Sequence, residues 1–425
     1  MYLNLSQSQR EVVEAIEKDK NVFVTGPAGT GKSYLLNYLK QEYLKKGLHV
    51  TASTGIAAVN ISGTTLHSWA GIGLGNLPLD QTLSRIFSGK GIRLRRKIRG
   101  AKMLAIDEIS MISSDTLNLV NNVLKAIKET DEPFGGLQII LFGDFLQLPP
   151  IVDNFSNTDD TEHFCFNSEA WQEANLKTFV LKEIFRQTDN RFIQLLNNLR
   201  FGKIEKDDIE ILKERYNVED NNKSIKPTIL GTHNYKIEQI NYENLKMLPS
   251  KEYVFIATFE GSEKKFDFLR KNCIAPESLK LKVGAQVMML KNTYKADGII
   301  NGSLGIVRDF SPNKKYPIVE FSNGNLITVG PEKWVIEKFD EKKKKMVEET
   351  SLTQIPLLLA WAITIHKSQG MTLDKIECDL ENAFAEGQIY VALSRVKDLS
   401  GLFIKSFNVN KIRVNSTVAE FYYNQ

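Results

Sequence analysis

The sequence predicts an α/β protein with two parallel-sheet domains, the second of which is interrupted by a small all-β insertion. In the first half of the chain, short apolar runs alternate with segments of helical spacing, as in parallel sheets covered by helices on both faces. This alternation returns near the C-terminus, whereas residues 255–350 hold short strand-like runs and hairpin turns. We therefore expect a first domain at 1–180, a second domain at 181–254 and 351–425, and the insertion at 255–350.

The elements of the first domain are placed by the spacing of apolar residues. A helix follows Ser6, and Ser6 with Gln9 forms the sequence of a capping box. Strands are predicted at 21–25, 48–53, 103–106 and 137–142, and helices at 32–46 and 117–127. Residues 62–90 are rich in glycine and irregular, so we expect 62–99, with Trp69, to leave the sheet as an excursion.

The second domain and its insertion are placed in the same way. Helices are predicted at 192–201, 204–216 and 386–393, and parallel strands at 228–230, 357–365, 376–380 and 402–407. The insertion is expected to be barrel-like, with strands at 253–259, 285–290, 304–310, 318–321 and 326–329.

Composition excludes several classes of protein. No apolar run in the 425 residues reaches the ~18 residues that cross a bilayer. Three cysteines lie far apart and no secretory signal is visible, so we expect a cytoplasmic protein without a zinc site or disulfides. The net charge is only +4, so any polyanion must meet local patches. One such patch, residues 90–99, fits a solvated helix face and a phosphate-binding surface equally well.

Residues 26–33 have the sequence G-x-x-x-x-G-K-S of a phosphate-binding loop, between an apolar run and a predicted helix. The glycines let backbone N–H groups curl around a triphosphate, while Lys32 supplies charge and Ser33 a hydroxyl for Mg²⁺. The preceding strand argues against the alternative, a simple glycine turn. We expect ATP to be bound by Gly26, Pro27, Ala28, Gly29, Thr30, Gly31, Lys32, Ser33 and Tyr34.

Acidic and amide side chains follow the next two predicted strands. Asp107 can hold Mg²⁺, usually through water, and Glu108 can orient and deprotonate an attacking water. Alone, such a pair is more often a helix cap, but downstream of a phosphate loop we predict a catalytic role. Gln147 can hydrogen-bond the γ-phosphate or the water, and a loop amide with local backbone partners is its alternative.

Phosphoryl transfer also needs positive charge near the γ-phosphate, and an arginine there is worth about 10³–10⁵ in rate. Arg186 and Arg395 are the candidates, although either alone could form a surface ion pair. If both reach the nucleotide, ATP lies in a cleft between two domains that closes and opens with hydrolysis. Gln9 fits a helix cap and a contact to adenine equally well, because an amide can pair with adenine N6 and N7.

In chain order these motifs resemble those of superfamily 1 helicases, and more closely the Pif family of 5′-to-3′ DNA helicases, relatives of RecD. The shared motifs lie at residues 26–33, 51–58, 107–108, 143–150, 185–187, 366–370 and 390–396. The segments that resemble the Pif family in particular are 113–150, 281–288 with 301–305, and 359–370. The resemblance implies two RecA-like P-loop domains, with 62–99 as a wedge. The long N-terminal extension of eukaryotic members is lacking, which suggests a bacterial or phage-like minimal core.

The resemblance also implies residue roles. Gln9 would contact adenine, Gln147 would couple the γ-phosphate to DNA, and Gly370 would approach the γ-phosphate. Arg186 and Arg395 would be the arginine fingers, and Ser33 with Asp107 would hold Mg²⁺. Contacts to single-stranded DNA would come from Thr54, Gly55, Thr64, His67, Thr232, His233, Asn234, Thr364, His366 and Lys367. Several of these are hydroxyls and amides, which suit sequence-independent contacts to the nucleic-acid backbone.

The function that the resemblance implies is an ATP-dependent DNA helicase that moves 5′ to 3′ on single-stranded DNA and unwinds duplex or structured DNA. Expected partners are single-stranded, forked and G-quadruplex DNA, with no membrane, and a monomer that can self-associate on DNA. Family-level roles are DNA repair, recombination and telomere maintenance. The alternatives are a nucleotide switch that does not move on DNA and an RNA helicase of the same superfamily.

Overall fold

The computed structural model describes residues 5–150, 163–220, 225–313, 315–340, 345–380, 386–406 and 408–424. The helices in this part of the chain are α1 Gln7–Glu17, α2 Lys32–Tyr43, α3 Gly55–Asn60, α4 Leu66–Ala70, α5 Leu79–Phe87, α6 Ile92–Gly100, α7 Ser114–Lys128, α8 Glu169–Glu173, α9 Asn190–Arg200, α10 Lys206–Glu214, α11 Asn234–Met247, α12 Phe266–Asn272, α13 Gln388–Leu393 and α14 Ser416–Tyr423.

The strands are β1 Val22–Thr25, β2 Leu48–Ala52, β3 Thr64–Thr65, β4 Met103–Asp107, β5 Gln138–Phe142, β6 Lys177–Val180, β7 Thr228–Gly231, β8 Tyr253–Ile256, β9 Thr258–Gly261, β10 Ser278–Leu281, β11 Gln286–Met289, β12 Leu304–Phe310, β13 Pro317–Phe321, β14 Leu326–Thr328, β15 Glu332–Asp340, β16 Lys345–Gln354, β17 Leu357–Leu359, β18 Ala362–Thr364, β19 Ile376–Asp379 and β20 Leu402–Ser406.

Many helices begin at a hydroxyl or carboxylate side chain that accepts a hydrogen bond from the first turn, which satisfies one of its unpaired N–H groups. The N-cap residues of this kind are Ser6, Thr54, Thr65, Ser113, Ser168 and Asp189. Local sequence therefore fixes where these helices start.

The chain packs into two compact units, which are described separately. Unit 1 comprises Met1–Phe185, Ile336–Glu348 and Ser416–Gln425, and unit 2 comprises Arg186–Val335 and Glu349–Asn415. Residues 336–348 of the expected insertion at 255–350 belong to unit 1. The predicted second domain at 351–425 also differs, because its last segment packs within unit 1. The aromatic residues of α14 explain this difference, since Phe421 lies 4.4 Å from Phe166 in ring-centre distance.

Unit 1 is built on a six-stranded parallel sheet in the order β3-β2-β4-β5-β1-β6. β1 is buried along its whole length, as are β4 and β5 after their first residues, so both faces of the centre are covered. Since the strands run in one direction, their carboxyl ends meet at one edge. That edge carries the phosphate loop, the acid pair and the segment with Gln147.

The expectation that residues 62–90 of the excursion at 62–99 are irregular is wrong, because two helices lie within them. The excursion contains α4, α5 and α6, and β3 adds an edge strand to the parallel sheet. Trp69 of α4 is only 2% exposed, and the Lys97 ammonium lies 5.1 Å from its ring centre. The glycines that suggested irregular chain serve partly as helix ends, since Gly71 terminates α4 in the left-handed conformation.

Unit 2 contains a four-stranded parallel sheet in the order β18-β7-β19-β20. It also contains a five-stranded antiparallel sheet, β14-β13-β12-β11-β17, and a two-stranded sheet, β10-β8, while the end of β16 pairs antiparallel with β9. A buried apolar cluster that includes Leu281, Val287, Val319, Phe321 and Leu357 fills the β-rich part. The expected β insertion is therefore present as its own set of sheets around its own core.

The single predicted strand at 357–365 is wrong, because the chain changes sheets within it. β17 pairs antiparallel with β11, and two residues later β18 pairs parallel with β7. The Ala360 carbonyl lies at the change and accepts hydrogen bonds from Thr228 Oγ1 and Gln286 Nε2, each at 2.9 Å. Both strands are apolar, so the continuous apolar run carries no signal of the break.

Among the described residues, no helix combines the length and apolarity that a membrane span requires.

Candidate nucleotide and nucleic-acid sites

The loop after β1 has the backbone geometry that a phosphate cradle needs. Gly26 and Gly31 adopt φ angles of 148° and 84°. A Cβ on Gly26 would lie 2.6 Å from the Leu181 carbonyl oxygen, so only glycine fits there. Gly31 is the N-cap of α2, and the first-turn N–H groups of that helix have no carbonyl partners within it. The helix start can therefore bind a phosphate.

Backbone carbonyl groups of this loop hold the Lys32 side chain over it. Its Nζ donates to the carbonyl oxygens of Gly26 at 2.6 Å and Pro27 at 3.0 Å. The Thr30 hydroxyl donates to the Pro27 carbonyl at 2.9 Å and braces the turn. The ammonium thus lies against carbonyl oxygens of the same loop whose N–H groups a triphosphate would meet.

Gln9 combines a structural role with contact to the phosphate loop. The capping box is present, because Gln9 Oε1 accepts from the Ser6 N–H at 3.1 Å and the Ser6 hydroxyl accepts from the Gln9 N–H. Its Nε2 donates to the Gly31 carbonyl at 3.3 Å, and the side chain is 1% exposed. Gln9 therefore positions the start of α2 relative to α1.

The acid pair ends β4. Asp107 is buried, and its Oδ1 accepts from the Glu108 N–H at 3.0 Å. Burial, and then the Glu108 carboxylate, raise the pKa of Asp107 to about 7, while the Glu108 N–H and the Lys32 charge oppose the shift. The effect of Lys32 shows that the loop and the acid pair share one electrostatic environment. Glu108 adopts φ 52°, a strained conformation for a side-chain-bearing residue.

The donors present fit Mg²⁺ in the manner of nucleotide-dependent enzymes. In the described part of the chain, no three histidine, cysteine, aspartate or glutamate side chains converge into an all-protein metal site. Mg²⁺ is usually bound by one or two protein oxygens with substrate phosphates and water, and Ser33 and Asp107 supply oxygens of this kind. The ion would screen the developing charge on the phosphates.

Gln147 lies just after β5 and is 7% exposed. Its Nε2 donates to Asp144 Oδ2 at 3.1 Å, and its backbone N–H donates to the Asp144 carbonyl at 3.0 Å. The side-chain amide thus has a local partner, which is the Asp144 carboxylate and not the backbone group that the alternative expected. Contact of Gln147 with the γ-phosphate stays a prediction. Asp144, 1% exposed, was missed as a separate candidate, and an acid directly after a buried strand was the available signal.

The two candidate arginines lie together in unit 2. Arg186 donates from Nη1 to the Ser394 carbonyl at 2.9 Å and from Nε to the Thr372 hydroxyl at 3.1 Å. Burial lowers the pKa of Arg186, and the Arg395 charge adds to this effect. Arg395 is 2% exposed and donates to the Val391 carbonyl at 2.8 Å, so it is not a surface residue. Thr372 was missed, because nothing in its local sequence points to it.

Gly370 lies in the segment after β18. It adopts φ 79°, and apart from Gly370 and its two chain neighbours no heavy atom of the described residues lies within 4 Å of the position that a Cβ would take. Glycine is therefore required here by backbone conformation, and the space around it is open.

The candidate DNA contacts of unit 1 lie at the carboxyl ends of two neighbouring strands. β2 pairs with β3, and Ala52 is the partner of Thr65. Thr54 and Gly55 follow β2, with the Thr54 hydroxyl capping α3, while Thr64 lies in β3 and His67 in α4. Burial lowers the pKa of His67, so its imidazole is neutral at neutral pH.

The candidate contacts of unit 2 have the same arrangement. Thr364 of β18 pairs with Gly231 of β7, so the segments that follow both strands lie side by side. The residues in these segments are Thr232, His233, Asn234, Thr364, His366 and Lys367. The Thr232 hydroxyl lies 2.7 Å from His233 Nδ1, and the Thr364 hydroxyl accepts from the Lys367 N–H at 3.2 Å. Burial lowers the pKa of His366.

Comparison with known proteins gives consistent matches along the chain. The model of the PIF1-like helicase family matches residues 4–210, and that of the DNA helicase Pif1 2B domain matches 267–310. The ATP-dependent DNA helicase PIF1 of Xenopus laevis is 39% identical over 99% of this chain and 64% of its own length. The chain thus spans just under two thirds of such a relative.

Solved structures match over nearly their whole length. Bacteroides sp Pif1 in complex with ADP-AlF4 has a TM-score of 0.86 and 34% identity, covering 99% of this chain and 96% of that one. Bacteroides Pif1 in complex with ADP-AlF3 and single-stranded DNA has a TM-score of 0.64, with 34% identity and the same coverage. These matches confirm the predicted α/β fold with two RecA-like domains. They give no support to a bacterial or phage-like origin, because the relatives come from a vertebrate as well as from Bacteroides. The motifs, the fold and these matches agree, and the chain belongs to the PIF1-like helicase family.

Proposed function

We propose that this protein is an ATP-dependent DNA helicase that moves 5′ to 3′ on single-stranded DNA and unwinds duplex or structured DNA. The observation that carries the proposal is the common edge of the unit 1 sheet, where the phosphate loop, the acid pair and the Gln147 segment follow β1, β4 and β5. Two further findings support it: the relatives are named ATP-dependent DNA helicases, and one solved relative holds single-stranded DNA together with ADP-AlF3.

Hydrolysis would use the residues at this edge. The loop N–H groups and Lys32 bind the β- and γ-phosphates, and Ser33 with Asp107 holds Mg²⁺. Glu108 orients the attacking water and accepts its proton. Gln147 relays the state of the γ-phosphate to the segment after β5, in which Gln147 lies. Gln9 keeps the start of α2 in place and contacts adenine, and Tyr34 completes the nucleotide-binding set.

The arginines of unit 2 would complete the chemistry. Arg186 and Arg395 stabilise the negative charge that develops on the transferred phosphoryl group, and Gly370 lets the backbone approach it. The burial of Arg395 and the mutual repulsion of the two guanidinium groups support this role, because an anion would relieve the repulsion. The cleft between two domains stays a prediction. Arg395→Ala tests it, because the variant should still bind ATP while its kcat falls by a factor of about 10³ or more.

Single-stranded DNA would be bound through its backbone. The two candidate sets each lie at the carboxyl ends of neighbouring strands, and hydroxyl, amide and backbone N–H donors dominate them. Such groups suit contacts that are released and remade without reading sequence. The α6 segment, with Arg93, Arg95 and Arg96, fits the wedge and phosphate-contact roles expected for 62–99.

Two assays test the proposal. ATP hydrolysis should rise with added single-stranded DNA, and strand displacement should occur on a substrate with a 5′ tail and fail on one with a 3′ tail. Hydrolysis that ignores DNA would favour the nucleotide switch over the motor. Displacement from the 3′ tail alone would overturn the direction, and equal stimulation by RNA would favour an RNA helicase.

The wider assignment also belongs to the proposal. We propose forked and G-quadruplex DNA as substrates, a monomer that self-associates on DNA, and roles in DNA repair, recombination and telomere maintenance. Displacement rates on forked and G-quadruplex substrates, and sedimentation with and without single-stranded DNA, measure these properties. The cytoplasmic location stays a prediction from the sequence.

A further inference from the structure

The hydroxyl of Tyr422, close to the C-terminal end of the chain, joins the ends of two strands at the nucleotide edge. It lies 2.8 Å from Thr25 Oγ1, accepts from the Phe145 N–H at 3.1 Å and donates to Asp144 Oδ1 at 3.2 Å. Thr25 is the last residue of β1 and directly precedes Gly26. The hydroxyl therefore connects the start of the phosphate loop to the segment after β5.

The proton count at this hydroxyl fixes the roles of its partners. A tyrosine hydroxyl has one proton and two lone pairs. Since the proton goes to Asp144 and one lone pair accepts from Phe145, Thr25 must donate to the other. Thr25 and Asp144 are 0% and 1% exposed, so water does not readily replace these bonds.

The same carboxylate holds Gln147. Asp144 accepts from Tyr422 on Oδ1 and from Gln147 Nε2 on Oδ2, at 3.2 Å and 3.1 Å. A continuous chain of hydrogen bonds thus runs from Thr25 through Tyr422 and Asp144 to the Gln147 amide. Each link in this chain sets the orientation of the next.

Aromatic packing fixes where α14 can place this hydroxyl. Phe421 stacks on Phe166 at a ring-centre distance of 4.4 Å and meets Phe145 edge-on at 5.5 Å. It also lies 6.2 Å from Phe23 of β1 and 6.0 Å from Trp171. The apolar contacts of Phe421 therefore anchor α14. The hydroxyl of the adjacent Tyr422 makes its hydrogen bonds independently of these contacts.

We propose that Tyr422 is a positioning residue for ATP hydrolysis, which acts through Asp144 to hold the Gln147 amide in register with the phosphate loop. Its loss frees the Gln147 segment to rotate away from the γ-phosphate, although the loop itself remains able to bind ATP. The effect falls on kcat rather than on KM for ATP. This inference rests on the proposed function, because it assigns a further residue to the same reaction.

The test compares four full-length variants in steady-state ATP hydrolysis with saturating single-stranded DNA. Tyr422→Phe keeps the ring and removes the hydroxyl, and Tyr242→Phe is the matched control on a side chain that is 62% exposed. Gln147→Ala and the double variant Gln147→Ala/Tyr422→Phe complete a cycle that separates coupling from general destabilisation. Thermal unfolding of each variant sets an assay temperature at which all are folded.

We expect Tyr422→Phe to lower kcat about five-fold or more with KM for ATP changed by less than about two-fold. In the Gln147→Ala background the same change should have less than about a two-fold effect, because the amide that it positions is gone. Tyr242→Phe should match the wild type.

Two results would overturn the inference while the proposed function stands. One is a kcat for Tyr422→Phe within about two-fold of the wild type, and the other is an undiminished loss in the Gln147→Ala background, which would assign Tyr422 to stability alone. A wild-type protein whose hydrolysis DNA does not stimulate would instead refute the proposed function, and this inference with it.

Discussion

His49 should make the stability of unit 1 depend on pH. It lies in β2, with its ring 5.6 Å from that of Trp69. Burial, and then the nearby Lys97 ammonium, lower its pKa to about 4. The imidazole is therefore neutral in the folded protein at neutral pH, whereas in the unfolded chain it gains a proton near pH 6.5.

The size and sign of the effect follow from the two pKa values. Between pH 6.5 and about 4 the unfolded chain binds more protons than the folded protein, so the free energy of unfolding falls as the pH is lowered through this window. Each pH unit in the window costs about 1.4 kcal/mol, which gives a loss of about 2 kcal/mol by pH 5. A loss of this size is a large fraction of the stability of a typical domain.

Urea unfolding followed by tryptophan fluorescence at about pH 7.5 and about pH 5 measures this loss. Between these two pH values the free energy of unfolding should fall by about 2 kcal/mol more for the wild type than for His49→Gln, which has no titrating group at this position. Equal losses for His49→Gln and the wild type would refute the reasoning.

Further predictions concern the nucleotide site. Lys32→Ala should abolish ATP hydrolysis with DNA binding largely kept, and retention of more than a few per cent of activity would contradict the site assignment. Glu108→Gln should still bind a fluorescent ATP analogue while hydrolysis fails, and lost binding would make Glu108 structural. Gly26→Ala places a Cβ 2.6 Å from the Leu181 carbonyl oxygen and should weaken ATP binding in a titration, whereas Gly330→Ala, with nothing within 4 Å, should not. If about six phosphates are contacted, the log–log salt slope of single-stranded DNA binding should be roughly −4, and a flat response would exclude a backbone-tracking groove.

Elements with a strong local signal were predictable from sequence. The strand–loop–helix around the phosphate loop forms where its apolar run, glycines and lysine place it, because each of these residues acts on its immediate neighbours. The helix start at Ser6 was predictable for the same reason. The change of sheet near Ala360 was not, since the apolar run is continuous across it.

The residues of the candidate site were also predictable only where the local sequence carries a signal. Sequence placed Asp107, Glu108 and Gln147 after successive strands, but it left open whether Gln9 caps a helix or contacts the nucleotide site. The structure shows the cap, because the amide of Gln9 accepts from Ser6 and also donates to Gly31, while the contact to adenine stays a prediction. Arg395 was open to a surface interpretation, which its burial excludes.

By itself, the sequence determined the fold class, the phosphate loop and the family likeness. Each of these is indicated by short segments whose residues are neighbours in the chain. Only the tertiary structure decided that Tyr422 meets Thr25, a pair separated by 397 positions. Such a contact leaves no local pattern, since it forms only when the aromatic face of α14 is buried against β1 and the segment after β5. Burial of apolar surface, which is not directional, brought the two residues together, and hydrogen bonds then fixed their geometry.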